Sequence, residues 1–240
     1  MTPIKIMNIE MSLKKIICFA VCCILLYPVL GSNVSQHRIP LKEDIQGWKT
    51  VKEDKSDPPS WIIYARKITG TNFLEYKIEG DIQSTAKACH TAFRLDLHKL
   101  ADNEKDKKYP TYEILEESEE CLLTYVVHNE PFPFKDTEMS VRYRFFTEED
   151  GSTGVRWQEA WDESSIQPTK KLNRVETFRG SLHCAPTSNN SCNAVKSVQF
   201  DPKKMPLWLI EPMVFNFLRA GLEDLRAMTL ENNDSISQHK

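Results

Sequence analysis

Glu159 and His128 are the candidates for acid–base chemistry, and neither has a catalytic partner visible in the sequence. Both fall in segments of alternating polar and apolar residues. Glu159 shares one face of its segment with Val155, Trp157 and Trp161. A carboxylate turned into an apolar interior needs a cation beside it, and Arg142, Arg144 and Arg179 are the candidates. There it would orient a ligand's polar head or, with a shifted pKa, exchange protons with a substrate. The plain alternative is a glutamate near a strand end that reaches water. His90, His98, His128 and His183 are scattered over separate segments. No Ser/His/Asp or Cys/His constellation is visible, so no catalytic residue is assigned.

The cysteines divide into two groups. Cys18, Cys22 and Cys23 lie within the apolar run Ile16–Leu30, which follows Lys14 and Lys15 and precedes Gly31-Ser32. A basic start, an apolar core shorter than a membrane span and a small-residue exit describe a secretory signal. Cleavage is expected after Gly31; an uncleaved membrane anchor is the alternative. Cys89, Cys121, Cys184 and Cys192 remain, and an even count in an exported chain suggests disulfides. Cys184 and Cys192 flank the polar stretch APTSNNS between two strand-like segments. They are predicted to face each other across a hairpin as a disulfide, adding roughly 2–3 kcal/mol. Cys89 and Cys121 are left as either a second pair or buried thiols. No Cys/His spacing suggests zinc; metal and cofactor are both set at none.

These residues must be positioned by one domain. The chain has 240 residues with a formal charge of −3, and its lysines are interleaved with acids, which argues against nucleic acid as a partner. Strands are predicted over Gly47–Glu53, Trp61–Lys67 and Asn72–Glu79, then a helix from an N-cap at Ser84 through Ala88, Ala92, Phe93, Leu95, Leu97 and Leu100. Six more strands follow: Thr111–Glu117, Cys121–His128, Glu138–Thr147, Thr153–Asp162, Arg174–Cys184 and Cys192–Phe200. In them Val141, Tyr143 and Phe145 share one face, as do Phe178, Gly180, Leu182 and Cys184. The end, Asp201–Met228, reads as a long apolar helix. Pro206 suits its opening turn, whereas Pro212 either kinks it or marks its true start. Ile210, Val214, Phe217, Gly221, Leu225 and Met228 form one stripe, with Trp208, Phe215, Leu218 and Leu222 beside it. A helix that apolar must be gripped over much of its circumference. A curved antiparallel sheet is the available partner, and a hollow between the two would suit an oily ligand.

Three stretches resemble a known family. Trp48 followed by Ile62-Ile63-Tyr64-Ala65-Arg66 looks like the family's opening pair of strands. Pro131-Phe132-Pro133-Phe134-Lys135-Asp136 looks like its Pro-x-Pro loop. Asp201-Pro202 with Pro206-Leu207-Trp208-Leu209 resembles the approach to its terminal helix. The family is the START domain, within the helix-grip superfamily; Thr137-Glu138 replaces the Arg-Asp that members often carry after the loop. The resemblance implies an α+β helix-grip fold, with a curved antiparallel sheet wrapped around a long C-terminal helix. It also implies a lipid-sized cavity gated by the Pro131–Asp136 loop together with that helix; Phe132 and Phe134 are then either a mobile apolar lid or two side chains plugged into the core. Its expected walls are Tyr143, Phe145, Trp157, Glu159, Trp161, Phe178, Leu182, Ile210, Val214, Phe217 and Gly221.

The resulting division is a signal peptide at 1–31, a flexible segment at 32–43, a START-like domain at 44–230 and a disordered tail at 231–240. The expected activity is non-catalytic binding, with transfer as an extension. The partner is a lipid or other hydrophobic small molecule, with transient membrane contact, a monomeric chain and a secreted or periplasmic location. The alternatives are a cyclase- or hydrolase-like helix-grip enzyme, and a cell-envelope interaction protein whose cavity is filled.

Overall fold

Alternation of period two turns most of the chain into strands, and the two long stretches of helical period pack against them. The computed structural model describes residues 42–43, 47–103, 106–129, 135–167, 169–200 and 207–237. Strands β1 (Lys42–Glu43), β2 (Lys49–Glu53), β3 (Ile62–Lys67) and β4 (Leu74–Ile82) lead to helix α1 (Ala86–Ala101). Strands β5 (Thr111–Glu117), β6 (Cys121–His128), β7 (Thr137–Thr147) and β8 (Thr153–Glu159) follow, then a short helix α2 (Trp161–Ser164). The chain closes with β9 (Asn173–Arg174), β10 (Arg179–Ser188), β11 (Ser191–Phe200) and the long helix α3 (Leu207–Ser237).

The strands form one open, curved sheet in the order β1-β2-β3-β4-β11-β10-β8-β7-β6-β5, with β9 attached parallel to β7. The crossover sets the last strand, β11, beside β4 of the opening four strands. It also places α1 and α3 against the same interior.

Several boundaries differ from expectation for local reasons. Thr85, not Ser84, caps α1: its hydroxyl accepts from the Ala88 N–H at 3.1 Å. Strand β8 stops at Glu159, so Trp161 opens a helical turn instead of continuing the strand. Beyond Glu159, β9 takes up pairing with β7, and the Val175 N–H donates to the Glu138 carbonyl at 2.9 Å. Where β8 ends, Ala160 and α2 come over β7: the Ser140 hydroxyl donates to the Ala160 carbonyl at 3.2 Å and Arg142 pairs with Glu163, so Ser140 and Arg142 are buried as well as Val141 and Tyr143. The stretch APTSNNS is mostly strand: β10 runs to Ser188 and β11 starts at Ser191, leaving Asn189-Asn190 as the turn. Helix α3 carries Pro212 inside it and reaches Ser237, so residues 231–237 continue the helix where sequence reasoning ends the domain.

On α3, Val214, Phe217, Leu218, Gly221, Leu222 and Leu225 are buried, an arc at i, i+3, i+4 spacing. Trp208, expected in the second stripe, is 66% exposed. The helix is fastened at both ends of this arc. The Tyr76 hydroxyl donates to Glu211 Oε1 at 3.1 Å, and the Arg226 guanidinium donates to the carbonyls of Asp81 and Ser60 at 2.8 Å each.

Gly180 shows how tightly the sheet and its aromatic residues fit. It pairs with Trp157 on β8 and Val198 on β11, and an added Cβ would collide with the indole ring and with the Ser197 carbonyl. Because backbone is one of the obstacles, a rotamer change cannot relieve the clash. Gly180→Ala should lower stability by about 1–3 kcal/mol, read as a fall in the urea midpoint.

Candidate functional site

The inward row of β11 reads Cys192, Ala194, Lys196 and Val198, and all four are buried. A lysine in such a row is an exception to the rule that interior strand positions are apolar. Two carboxylates face the same region from the helices. Asp96 follows Ala92 and precedes Leu100 at i+4 spacing on α1. Asp224 lies one turn beyond Gly221 on α3. Phe93, Asp96, Leu182, Lys196, Gly221 and Asp224 border one cavity, completed by apolar residues of α3. It leaves about 10 Å³ for the centre of a water-sized sphere, which is room for one water.

Gly221 leaves room for the end of the lysine. A Cβ at this position would collide with Lys196 Nζ, so glycine makes the space the ammonium occupies. The same Nζ lies 4.8 Å from the centroid of the Phe217 ring, a cation–π placement. Burial pushes the Lys196 pKa down from the usual 10.5 to about 8, with Asp224 and then Asp96 pulling it back up. Burial pushes Asp96 up from 3.8 to about 6, against the opposing charges of Lys196 and Lys99. Burial likewise raises the phenols of Tyr112 and Tyr143, so both remain protonated donors. Trp157 Nε1 is buried without a hydrogen-bond partner among the described residues.

The residues chosen from sequence are distributed unevenly around this cavity. Leu182 and Gly221 border it. Tyr143, Phe145, Trp157, Phe178, Val214 and Phe217 are all buried in the core cluster. The aromatic ones pack together: Trp157 stacks on Phe93 at 6.0 Å and meets Phe178 and Tyr143 at tilted angles, 6.3 Å and 6.4 Å between ring centroids. They fill space more than they enclose it. Glu159 is at the end of β8 and outside the cavity, paired with Arg179 through Nε at 2.8 Å and accepting from the Phe178 N–H. Of the three arginines considered for it, Arg142 is engaged elsewhere, with Glu116, Glu163 and Cys121 Sγ, and Arg144 is exposed. Trp161 is also outside, its indole N–H donating to the Val175 carbonyl at 2.8 Å and its ring covered by Arg174. His128 is buried against Tyr109 at 5.3 Å and does not border the cavity. Phe132, Phe134 and the Ile210 side chain lie outside the described residues.

Asp96, Lys196 and Asp224 were missed, although each had a signal. Lys196 breaks the alternation of β11, and Asp96 and Asp224 each stand at helical spacing among buried positions. Charge at positions where periodicity demands an apolar residue was the mark to follow.

The cysteines require a correction. All four are free, and the hairpin register sets Cys184 opposite Ala194 and Cys192 opposite Pro186. Two residues of offset separate the pair that was expected to face each other. Cys89 of α1 enters the gap instead, its sulfur 3.5 Å from that of Cys192, and the three sulfurs of Cys89, Cys184 and Cys192 lie within 4.8 Å of one another.

No protein-family model matches the chain, and no curated protein matches it at a significant level. Solved structures do match. A fragment of the STAR-related lipid transfer protein from Xanthomonas axonopodis superposes with a TM-score of 0.58 at 17% identity, over 76% of this chain and 98% of that one. Human StAR-related lipid transfer protein 5 gives a TM-score of 0.59 at 13% identity, over 79% and 89% of the two chains. Human STARD10 gives 0.60 at 14%, over 82% and 78%. At these identities the likeness establishes the architecture: this chain has a START-like helix-grip fold.

The buried charges predict a particular pH profile of stability. From about pH 8 to 10.5 the unfolded chain keeps a proton on Lys196 that the native chain has released, so stability rises with pH there. Asp96 acts in the other sense. Its contribution is present below pH 3.8 and is lost as pH rises to about 6, because only the native carboxyl holds its proton in that interval. Denaturant unfolding followed against pH should show an alkaline rise of about 3 kcal/mol. That rise should be absent in Lys196→Met, and the acidic decline absent in Asp96→Asn.

Proposed function

We propose that this chain binds an apolar small molecule of lipid type between the sheet and α3 without changing it covalently. The ligand's neutral, hydroxyl- or carbonyl-bearing head would sit at Lys196. The observation that carries the reading is the buried Lys196 ammonium, placed in an apolar cavity by the absence of a side chain at Gly221. The charge balance there selects the head group. One ammonium already faces two carboxylates, so an anionic head would bring a third negative charge into a region of low dielectric. A hydroxyl accepts from Lys196 and donates to a carboxylate, so it satisfies both kinds of group. Affinity would come from apolar surface removed from water, at roughly 25 cal/mol per Å² before ordering costs.

The closed interior is smaller than any lipid, so binding requires α3 to move away from the sheet and the packed aromatics to part. The fold likeness to lipid transfer domains supports the same reading. The basic and apolar pattern of residues 1–31 supports export to a secreted or periplasmic location. Among the described residues no helix is long and apolar enough to cross a membrane.

A second reading rests on the same residues. Lys196 at about 8 and Asp96 at about 6 bracket neutral pH, the arrangement that an acid–base pair in an enzyme requires.

A fluorescent sterol alcohol and a fluorescent fatty acid, each offered from phosphatidylcholine vesicles, test the proposal. The alcohol should bind and the acid should bind more weakly. Lys196→Met should weaken the alcohol about 10–100-fold through loss of one charge-assisted hydrogen bond, and mass spectrometry should recover the probe unaltered. Equal uptake by the folded Lys196→Met protein would remove the lysine from the site. Failure of both probes to bind would overturn the reading, and a changed probe mass would favour the enzyme.

A further inference from the structure

We propose that Cys89, Cys184 and Cys192 form a three-sulfur site for copper(I), separate from the lipid cavity. Each sulfur comes from a different element. Cys89 lies in the first turns of α1, where its N–H bonds to the Thr85 carbonyl. Cys184 lies on β10 opposite Thr153 and Ala194, and Cys192 lies on β11 opposite Ile82. They are 0%, 1% and 0% exposed.

The separations suit a cation more than a staple. A metal about 2.3 Å from each of three sulfurs holds them about 4 Å apart; here the Cys89 and Cys192 sulfurs are 3.5 Å apart and all three lie within 4.8 Å of one another. A disulfide would take two of them to about 2.05 Å and leave the third without a role. Among the described residues no histidine or carboxylate joins the group, so the donor set is purely soft. Such a set selects thiophilic ions. Zinc takes four ligands, whereas copper(I) accepts three sulfurs alone.

Binding is an exchange of protons for metal. Each thiol that ligates as thiolate releases its proton to water, and the copper neither gains nor loses an electron. Because the cluster is sealed from solvent, the metal enters as the chain folds and pins α1 to the β10–β11 hairpin. Like any ligand that binds only the folded form, it raises the thermal midpoint.

The full chain, purified reduced and without oxygen, is titrated with copper(I) against bicinchoninate and, separately, with zinc(II). One copper per chain, an ultraviolet thiolate-to-copper charge-transfer band and a raised thermal midpoint are the expected results. Cys121→Ser should keep all three, and Cys184→Ser should lose the stoichiometric copper. X-ray absorption at the copper edge of the unmutated protein should count three sulfur neighbours and does not depend on any variant folding. Fewer than three sulfurs, stoichiometric zinc in place of copper, or no retained metal would each overturn the site. So would a Cys89–Cys192 disulfide in protein isolated from its own compartment. None of these readings involves the lipid probes.

Discussion

Desolvation of one ammonium group governs the arrangement of this interior. Lys196 sits in a row that the sheet turns toward α3, where an isolated charge is strongly disfavoured. Each neighbour can be understood as a response. Gly221 withdraws a side chain to admit the Nζ, Phe217 offers a ring face, and Asp96 and Asp224 bring opposite charge from two helices. Buried opposite charges of this kind rarely add stability over a well-packed apolar alternative.

The same interior is otherwise filled. Phe93, Tyr143, Trp157 and Phe178 pack into one aromatic mass, and α3 covers it with a continuous apolar arc. A ligand therefore competes with side chains that already satisfy each other by dispersion. Two polar attachments, Tyr76 to Glu211 and Arg226 to Asp81 and Ser60, hold the helix down. These contacts are partly exposed, so the apolar arc between them, and not the polar attachments, is the larger hold on the helix.

Much of the architecture was legible because period is a local property. Strands β5 and β6 match their predicted limits at both ends, and the apolar stripe of α3 is visible in the spacing of Val214, Phe217, Gly221 and Leu225. The failures cluster where pairing with distant segments overrides a local pattern. Trp161 continued the alternation of β8 on paper, but β9 replaces β8 beside β7 at that point and the chain turns away. Cys184 and Cys192 looked opposed because they flank a polar stretch. Ladder hydrogen bonds extend through that stretch and shift the register.

From its sequence alone this protein had a curved sheet, two packing helices, an apolar interior and the START-like order of elements. Alternation and helical spacing encode which side of an element meets water, and nothing more is needed for that much. The meeting of Lys196, Asp96 and Asp224, and that of Cys89, Cys184 and Cys192, belongs to the tertiary structure. Each set joins α1 to strands or helices some hundred residues away. Their approach depends on β11 crossing to β4 and on the side chain that Gly221 lacks. Spacing along a chain carries no measure of distance across a fold.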